Sequence, residues 1–233
     1  MISAIIVAYN EEDLIEVIIK ELKKQQFRDK YEIILADGGS SDKTVMLAAK
    51  NKIQIVNCRK GKSRQMNDAA KKAKGDILFF VHADMQFSNQ MFSIIQNKIT
   101  EGFDGGGFSN EFDMHNKKIK KLGIWMNFRF FDKREQSDKG IFYGDNGIFV
   151  KNEVFIALNG FKEISIMEDY DFSRRMKTNY KVIKIKEPKI KVSARRHIKA
   201  GFLKTRFQWI MIRKLYKWGV SPEKLAKWYS DVR

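Results

Sequence analysis

A single cysteine, Cys58, leaves the chain with no internal disulfide and no multi-cysteine metal site. No stretch approaches the roughly 20 apolar residues that a membrane-spanning helix needs. The opening residues run straight into Tyr9-Asn10-Glu11-Glu12, with neither a basic leader nor a cleavage site. The chain is therefore expected to begin folding at its N-terminus and to stay in the cytosol. Internal repeats and low-complexity linkers are lacking too, and 233 residues suffice for one substantial core but not for two large domains, so one domain over 1–233 is expected. Acidic residues run short only at the end. Residues 174–233 carry 19 basic and 3 acidic side chains, a balance of +16, against 16 and 14 over residues 1–110, a balance of +2. Such a block attracts nucleic acid, an anionic membrane or a phosphorylated substrate. The plainer reading is a lysine-rich solvated surface.

What is present is a regular alternation. Residues 2–8 form a nearly continuous apolar run, as a strand buried on both faces should. Leu14, Ile18 and Leu22 then recur at helical spacing, with Ile15 and Ile19 beside them. Further strands are expected at 33–36, 53–56 and 77–81. Helices are expected through 46–50 and over 62–74, the second closed by Gly75 in the left-handed position that follows a helix. This order predicts an α/β fold, a mostly parallel sheet with helices on both faces. Past Gly102 the regularity fades. Gly105-Gly106-Gly107 leads into 108–112, an aromatic-rich helix is expected around 125–131, and 132–140 reads as a polar, mobile loop. Residues 141–150 read as a strand interrupted at Gly144-Asp145-Asn146-Gly147. Residues 168–176 should be helical with Glu168, Asp169 and Asp171 in the first turn, and 202–218 form a basic helical tail.

In open α/β sheets a ligand sits beyond the C-terminal strand ends, at a switch in strand order. Three polar clusters fall at such ends: Asn10-Glu11-Glu12, residues 37–42, and His82-Ala83-Asp84. An acidic cleft repels a nucleotide diphosphate unless a divalent cation intervenes. Hard Mg2+ or Mn2+ takes one or two carboxylates, with phosphates and waters completing its shell. Asp84 fits that role, and His82 either touches the metal shell or orients Asp84; in the plainer reading His82 packs and Asp84 caps a turn. Asp37 precedes the turn Gly38-Gly39-Ser40-Ser41, whose backbone can approach a ligand, so its carboxylate could accept the imide N–H of a uracil. Turn formation is its competing role, and Ser41 or Asp42 would cap the next helix. Arg64, on an alanine-rich helix, suits a bidentate phosphate or base contact, although an arginine is more often a surface charge. Glu168-Asp169 offers a general base for an acceptor hydroxyl, against the general preference of acids for a first helical turn.

Seven segments, in order, carry a resemblance: Val7-Ala8-Tyr9-Asn10-Glu11-Glu12, Ala36-Asp37-Gly38-Gly39-Ser40-Ser41-Asp42, Gly61-Lys62-Ser63-Arg64-Gln65-Met66-Asn67, Phe80-Val81-His82-Ala83-Asp84, Tyr143-Gly144-Asp145-Asn146-Gly147, Met167-Glu168-Asp169 and Ser193-Ala194-Arg195-Arg196. Together they resemble the family-2 glycosyltransferases of the GT-A fold, especially their short radical-SAM/selenodomain-associated branch. The resemblance implies transfer of a sugar from a nucleotide-diphosphate sugar, UDP-sugars favoured, to the hydroxyl of an unnamed acceptor, with inversion. It implies a nucleotide-sugar-binding half over 1–105, an acceptor and catalytic half over 106–200, and a helical tail over 201–233. Tyr9, Glu11 and Asp37 would hold the nucleoside, with Asn10 among the donor-binding residues and Arg64 near base or phosphate. Asp84 would bind the diphosphate through Mn2+ or Mg2+. Asp169, with Glu168 beside it, resembles the family's base, and Asp145 would face the acceptor. His82 stands where many members carry the first carboxylate of an Asp-x-Asp pair. His197 is accordingly expected as a further metal ligand, as a downstream histidine is in some relatives.

Two rivals are less complete. A sugar nucleotidyltransferase cradles a triphosphate after its first strand on a glycine-rich basic loop, where this chain has Glu11, Glu12 and Asp13. A non-catalytic protein that binds nucleic acid or an anionic membrane would use the tail, where Phe207, Trp209, Tyr216 and Trp218 alternate with Arg206, Arg213, Lys214 and Lys217. That leaves the acidic strand ends unexplained, and no nucleic-acid partner is expected. An amphipathic tail on anionic lipid would suit a lipid-linked or phosphorylated acceptor and place the protein peripherally at the inner face of a membrane. Core packing is the expected use of the tail aromatics.

Overall fold

The computed structural model describes residues 1–113, 141–193 and 201–229, without the side chains of residues 202, 203 and 206. The expected helix at 125–131, the loop at 132–140 and His197 lie outside the described residues. One sheet holds eight strands: β1 Ile2–Ala8, β2 Tyr31–Asp37, β3 Gln54–Asn57, β4 Ile77–His82, β5 Met85–Gln86, β6 Gly105–Phe112, β7 Phe149–Lys151 and β8 Val182–Val192. Their order is β3-β2-β1-β4-β7-β6-β8-β5. The first four pair in parallel; β7 pairs antiparallel with both β4 and β6, β8 runs parallel to β6, and β5 is antiparallel to β8. The sheet is thus parallel on one side and mixed on the other.

The alternation of side chains along β1 sorts the core into two layers. Ile2, Ala4, Ile6 and Ala8 face α1 (Ile15–Lys23), α2 (Thr44–Lys50) and α4 (Met91–Thr100), packing with Ile15, Ile18, Leu22, Ala48, Phe92 and Ile95. Ile5 and Val7 face α3 (Lys62–Ala70), α5 (Asn152–Ala157) and α6 (Glu168–Asn179), packing with Met66, Ala69, Phe155, Phe172 and Met176. A third cluster joins Tyr143, Met167 and Tyr170 to Ile212 of α7 (Phe202–Lys217) and Leu225 of α8 (Pro222–Trp228). No helix among the described residues is long and apolar enough to cross a membrane.

Two expectations are corrected here. The third helix ends at Ala70, not Lys74. Gly75 is not a left-handed helix cap: it lies against β1, where its N–H donates to Ser3 Oγ at 2.8 Å and an added Cβ would fall 2.7 Å from Ser3 N. The glycine answers a need for close approach, not for an unusual φ.

Candidate active site

The parallel strands end in register, Ala8 opposite Asp37 and Val7 opposite His82. Gln65, buried on α3, ties two of these ends together by donating from Nε2 to Ala8 O at 2.7 Å and to Ala36 O at 2.9 Å. Gly38 is needed beneath it, since a Cβ there would come within 2.8 Å of the Gln65 side chain. The Asp37 carboxylate, 3% exposed, accepts from Gly39 N–H at 2.9 Å, Ser40 N–H at 3.1 Å and Ser40 Oγ at 2.5 Å. Three donors occupy about four lone-pair sites, so Asp37 shapes its turn first and keeps roughly one acceptor position.

The neighbouring loops are locked reciprocally. Asn10, at φ 54°, accepts Ser41 N–H on Oδ1 at 2.8 Å and donates its own N–H to Ser40 Oγ at 2.9 Å. Glu11 N–H donates to Thr44 Oγ1 at 2.8 Å, and Glu12 Oε2 accepts Lys43 N–H at 3.0 Å. Asp42 receives Thr44 N–H, Thr44 Oγ1 and Glu12 N–H at 2.9, 2.5 and 3.1 Å. Burial raises its pKa, but those hydrogen bonds outweigh burial and hold it below the usual carboxylate range. Tyr9 stands at the rim beneath Lys60, whose Nζ lies 3.0 Å from its hydroxyl and 4.2 Å from its ring centroid. Arg64 is half exposed, with Nε 3.3 Å from Glu163, whose carboxylate is also paired with Arg59 at 2.7 Å. The structure therefore places Arg64 in a surface ion cluster beside the strand ends.

Beyond β4 the chain turns through Asp84, which is partly buried, before β5. His82 is partly buried, and its Nε2 points at Gly144, where an added Cβ would lie 2.6 Å away. Burial, then the positive charge of Lys62, push the His82 pKa down to about 3 against the opposing charge of Asp145. The imidazole is neutral at physiological pH.

Gly144 opens a single 3-10 turn, Gly144–Asn146, that carries Asp145. Asn146 pins this turn by accepting Tyr143 N–H at 2.8 Å and donating to Phe108 O at 2.7 Å, and Asn110 donates to Asp145 O at 3.0 Å. The Gly144 N–H in turn donates to Asp169 Oδ2 at 2.6 Å, and Tyr170 N–H donates to Oδ1 at 2.6 Å. His82, the Asp145 turn and Asp169 are thereby brought to one place. The helix bearing Asp169 starts after Met167, a non-glycine residue at φ 70°, a sparsely populated conformation that costs about 1–3 kcal/mol and gathers at functional sites.

Glu168, only 8% exposed, is pushed up to about 7 by burial first and by the charge of Asp169 second. Asp169 is raised as well, chiefly by burial, against hydrogen bonds from Gly144 and Tyr170 and the charge of Lys62. Asp171, one residue further on, is different: Arg175 and Lys162 each approach it to 2.7 Å. Of three first-turn acids, two form a proton-holding pair and one is a structural anchor.

Gln65, Lys62 and Met167 went unnoticed as individuals in the sequence. Gln65 had a readable signal, being a polar residue one turn before Ala69 on the buried stripe of its helix. Lys62 and Met167 had none, because their importance comes from the distant acids beside them. Among the described residues no three His, Cys, Asp or Glu side chains gather as a metal site.

Residues 3–158 match the family model for glycosyl transferase family 2. No match was found among curated protein sequences. Among solved structures, the mannosyltransferase PcManGT from Pyrobaculum calidifontis, in complex with GDP-Man and Mn2+, superposes with a TM-score of 0.70 at 20% identity, over 95% of this chain and 66% of that one. S. aureus TarS 1-349 in complex with UDP-GlcNAc gives 0.66 at 18% identity, over 82% and 58%. The glucosyl-3-phosphoglycerate synthase from Mycobacterium tuberculosis gives 0.57 at 16% identity, over 82% and 71%. The chain spans less than two thirds of the TarS chains, 37% of the longest. At these identities the likeness is one of fold, and the fold is the GT-A arrangement. The family model covers well over half of the sequence, from β1 to the end of α5, and on that match the protein belongs to glycosyl transferase family 2.

Proposed function

We propose that the protein transfers a sugar from a nucleotide-diphosphate donor, UDP-sugars favoured, to an acceptor hydroxyl with inversion at the anomeric carbon. The observation that carries this reading is Asp169, a carboxylate with a raised pKa, held by the Gly144 N–H beside His82 at the end of β4. A base there deprotonates the acceptor hydroxyl as its oxygen attacks the anomeric carbon. The bond from that carbon to the diphosphate breaks, and the nucleoside diphosphate leaves from the opposite side. Glu168 shares the proton of the pair, and Asp145 faces the acceptor.

On the donor side, Tyr9, Asn10 and Glu11 line the nucleoside, and the acceptor position left on Asp37 suits a uracil imide. Arg64 would exchange Glu163 for base or phosphate. The donors of PcManGT, TarS and the mycobacterial synthase, GDP-Man, UDP-GlcNAc and UDP with Mn2+, support a nucleotide-sugar site of this kind. A divalent cation of the Mn2+ or Mg2+ type would be held by the Asp84 carboxylate just past the strand end, with His82, two positions earlier and neutral, as a second donor. Such an ion needs only one or two protein oxygens when phosphates and waters complete its shell. When bound, the cation stabilises charge on the departing diphosphate. His197 is a further candidate ligand. The order of the seven motifs favours the short radical-SAM/selenodomain-associated branch, and the reading places the protein in the cytoplasm.

The test is nucleotide release from a panel of nucleotide sugars with Mn2+. Wild-type protein is expected to turn over at least one UDP-sugar. Asp169→Asn is expected to lose about 10²–10⁴-fold in rate while calorimetry shows UDP–Mn2+ binding intact. Full activity in that variant would remove Asp169 as the base.

A further inference from the structure

Helix α7 presents two different faces. Thr205, Trp209, Ile212 and Tyr216 follow one another at spacings of four, three and four, the signature of one helical face. Thr205 and Ile212 are buried, the Trp209 ring meets that of Tyr229 at 4.9 Å, and the Tyr216 ring meets that of Tyr170 at 5.8 Å. The opposite face runs Lys204, Phe207, Met211, Lys214 and, at the C-cap, Trp218, at spacings of three, four, three and four. Here Phe207 is 66% and Trp218 75% exposed, and both lysines are exposed. On α8, Trp228 is 61% exposed and Lys224 and Lys227 are exposed too. These three are the only strongly exposed aromatics among the described side chains. Helix α7 contains no acidic residue.

Single exposed apolar side chains are ordinary. Three large aromatics within residues 207–228, interleaved with lysines, are not. Aromatics at the depth of lipid headgroups with lysines reaching anionic phosphates are the pattern of a helix lying in a membrane interface. The outward stripe of α7 carries no amide or hydroxyl with which to read bases.

We propose that the outward face of α7 docks on an anionic lipid surface. The inward face of the same helix meets the site: Arg213 Nη1 donates to the Tyr143 hydroxyl at 3.3 Å, next to Gly144, and Tyr216 packs on Tyr170, next to Asp169. The lipid surface and the catalytic pair are thus separated by about one helix diameter, roughly 10 Å. An amphiphilic acceptor anchored in that surface presents its hydroxyl close to the base. The docking goes beyond the donor chemistry and needs neither nucleotide nor metal, so the two readings fail separately.

The experiment is co-sedimentation of the full chain with phosphatidylcholine vesicles, with and without phosphatidylglycerol, at low and high salt. Wild-type protein is expected to pellet with the anionic vesicles and to be released by salt. Phe207→Ala with Trp218→Ala, and separately Lys204→Glu with Lys214→Glu, are each expected to weaken partition at least about tenfold. Melting temperature and UDP binding should stay unchanged in both. The proposal is overturned if wild-type protein ignores anionic vesicles, or if the variants pellet as wild type does. It is equally overturned if the variants abolish only self-association, followed by sedimentation velocity, or only binding to a single-stranded oligonucleotide.

Discussion

Asp37 and Asp42 at the end of β2 accept hydrogen bonds from their own turn and the loop after β1, whereas Glu168 and Asp169 at the start of α6 lie buried together with fewer donors. The carboxylates are chemically alike, but Asp42 is held below the usual range and Glu168 is pushed to about 7. Burial raises both; around Asp42, which is only partly buried, hydrogen bonds outweigh it, whereas at Glu168 burial prevails and the charge of Asp169 adds to it. Asp171 has different partners. It shares a helical turn with Asp169, but Arg175 and Lys162 hold it in ion pairs. Acids at a strand end or helix start thus differ according to burial and partners, not their place in the sequence.

The largest expected effect comes from disturbing the one donor shared between the site's two halves. Gly144→Ala would set a methyl 2.6 Å from His82 Nε2, move the 3-10 turn and pull the Gly144 N–H from Asp169. Turnover should fall by about 10²-fold, the scale of a roughly 1 Å misplacement. Nucleotide release measures it, with donor binding as the control.

Next comes stability against pH. Glu168 titrates near 4.5 when unfolded and near 7 when folded, so the folded state binds the extra proton between those values. Its contribution to stability is full below about 4.5 and is lost as pH rises towards 7. His82 runs the other way. It stays neutral in the fold down to about 3, so its contribution is present above 6.5 and fades as pH falls. Urea denaturation of Glu168→Gln at pH 7.5 should show a gain on the order of 2 kcal/mol over wild type, shrinking below pH 5. A gain independent of pH would mean that packing, not the buried charge, set the difference.

The smallest effect belongs to the turn. Asp42→Ala removes the acceptor for Thr44 and Glu12 and should cost about 1 kcal/mol in thermal denaturation, with little change in the pH dependence of turnover. A shift in that pH dependence would break the division between structural and catalytic acids.

The parallel side of the sheet was legible because its signals are local. A continuous apolar run such as residues 2–8 and the Leu14–Ile18–Leu22 spacing need no distant partner to be read. On the mixed side, β8 alternates isoleucines with lysines and was passed over within the basic block, although that alternation is itself a strand signal. Helices α4 and α5 were missed as well, the first being a plain apolar stretch with no motif attached. The tail aromatics divided where one use was expected: Trp209 and Tyr216 pack inward, while Phe207 and Trp218 are exposed. In the site, Asp169, Glu168, Asp145 and Asp84 were singled out by residue type and position, and the structure brings Asp169 and the Asp145 turn together beside His82. What no local pattern could show is that a glycine N–H, 25 positions away in sequence, holds the Asp169 carboxylate. The engagement of Asp37 with its own turn was hidden for a similar reason, since Asp-Gly-Gly-Ser reads alike whether it grips a ligand or, in large part, itself.

The pH–rate profile of donor turnover, compared between wild type and Glu168→Gln, tests the central contrast most directly. A base must be ionised to act, so the wild-type rate should rise with pH through an apparent value above the ordinary carboxylate range and then level off. With Glu168 replaced by a neutral amide, Asp169 no longer faces a second carboxylate, and the rising limb should move to lower pH. A wild-type limb at the ordinary carboxylate position, or one that Glu168→Gln leaves in place, would contradict a proton-holding pair at the start of α6.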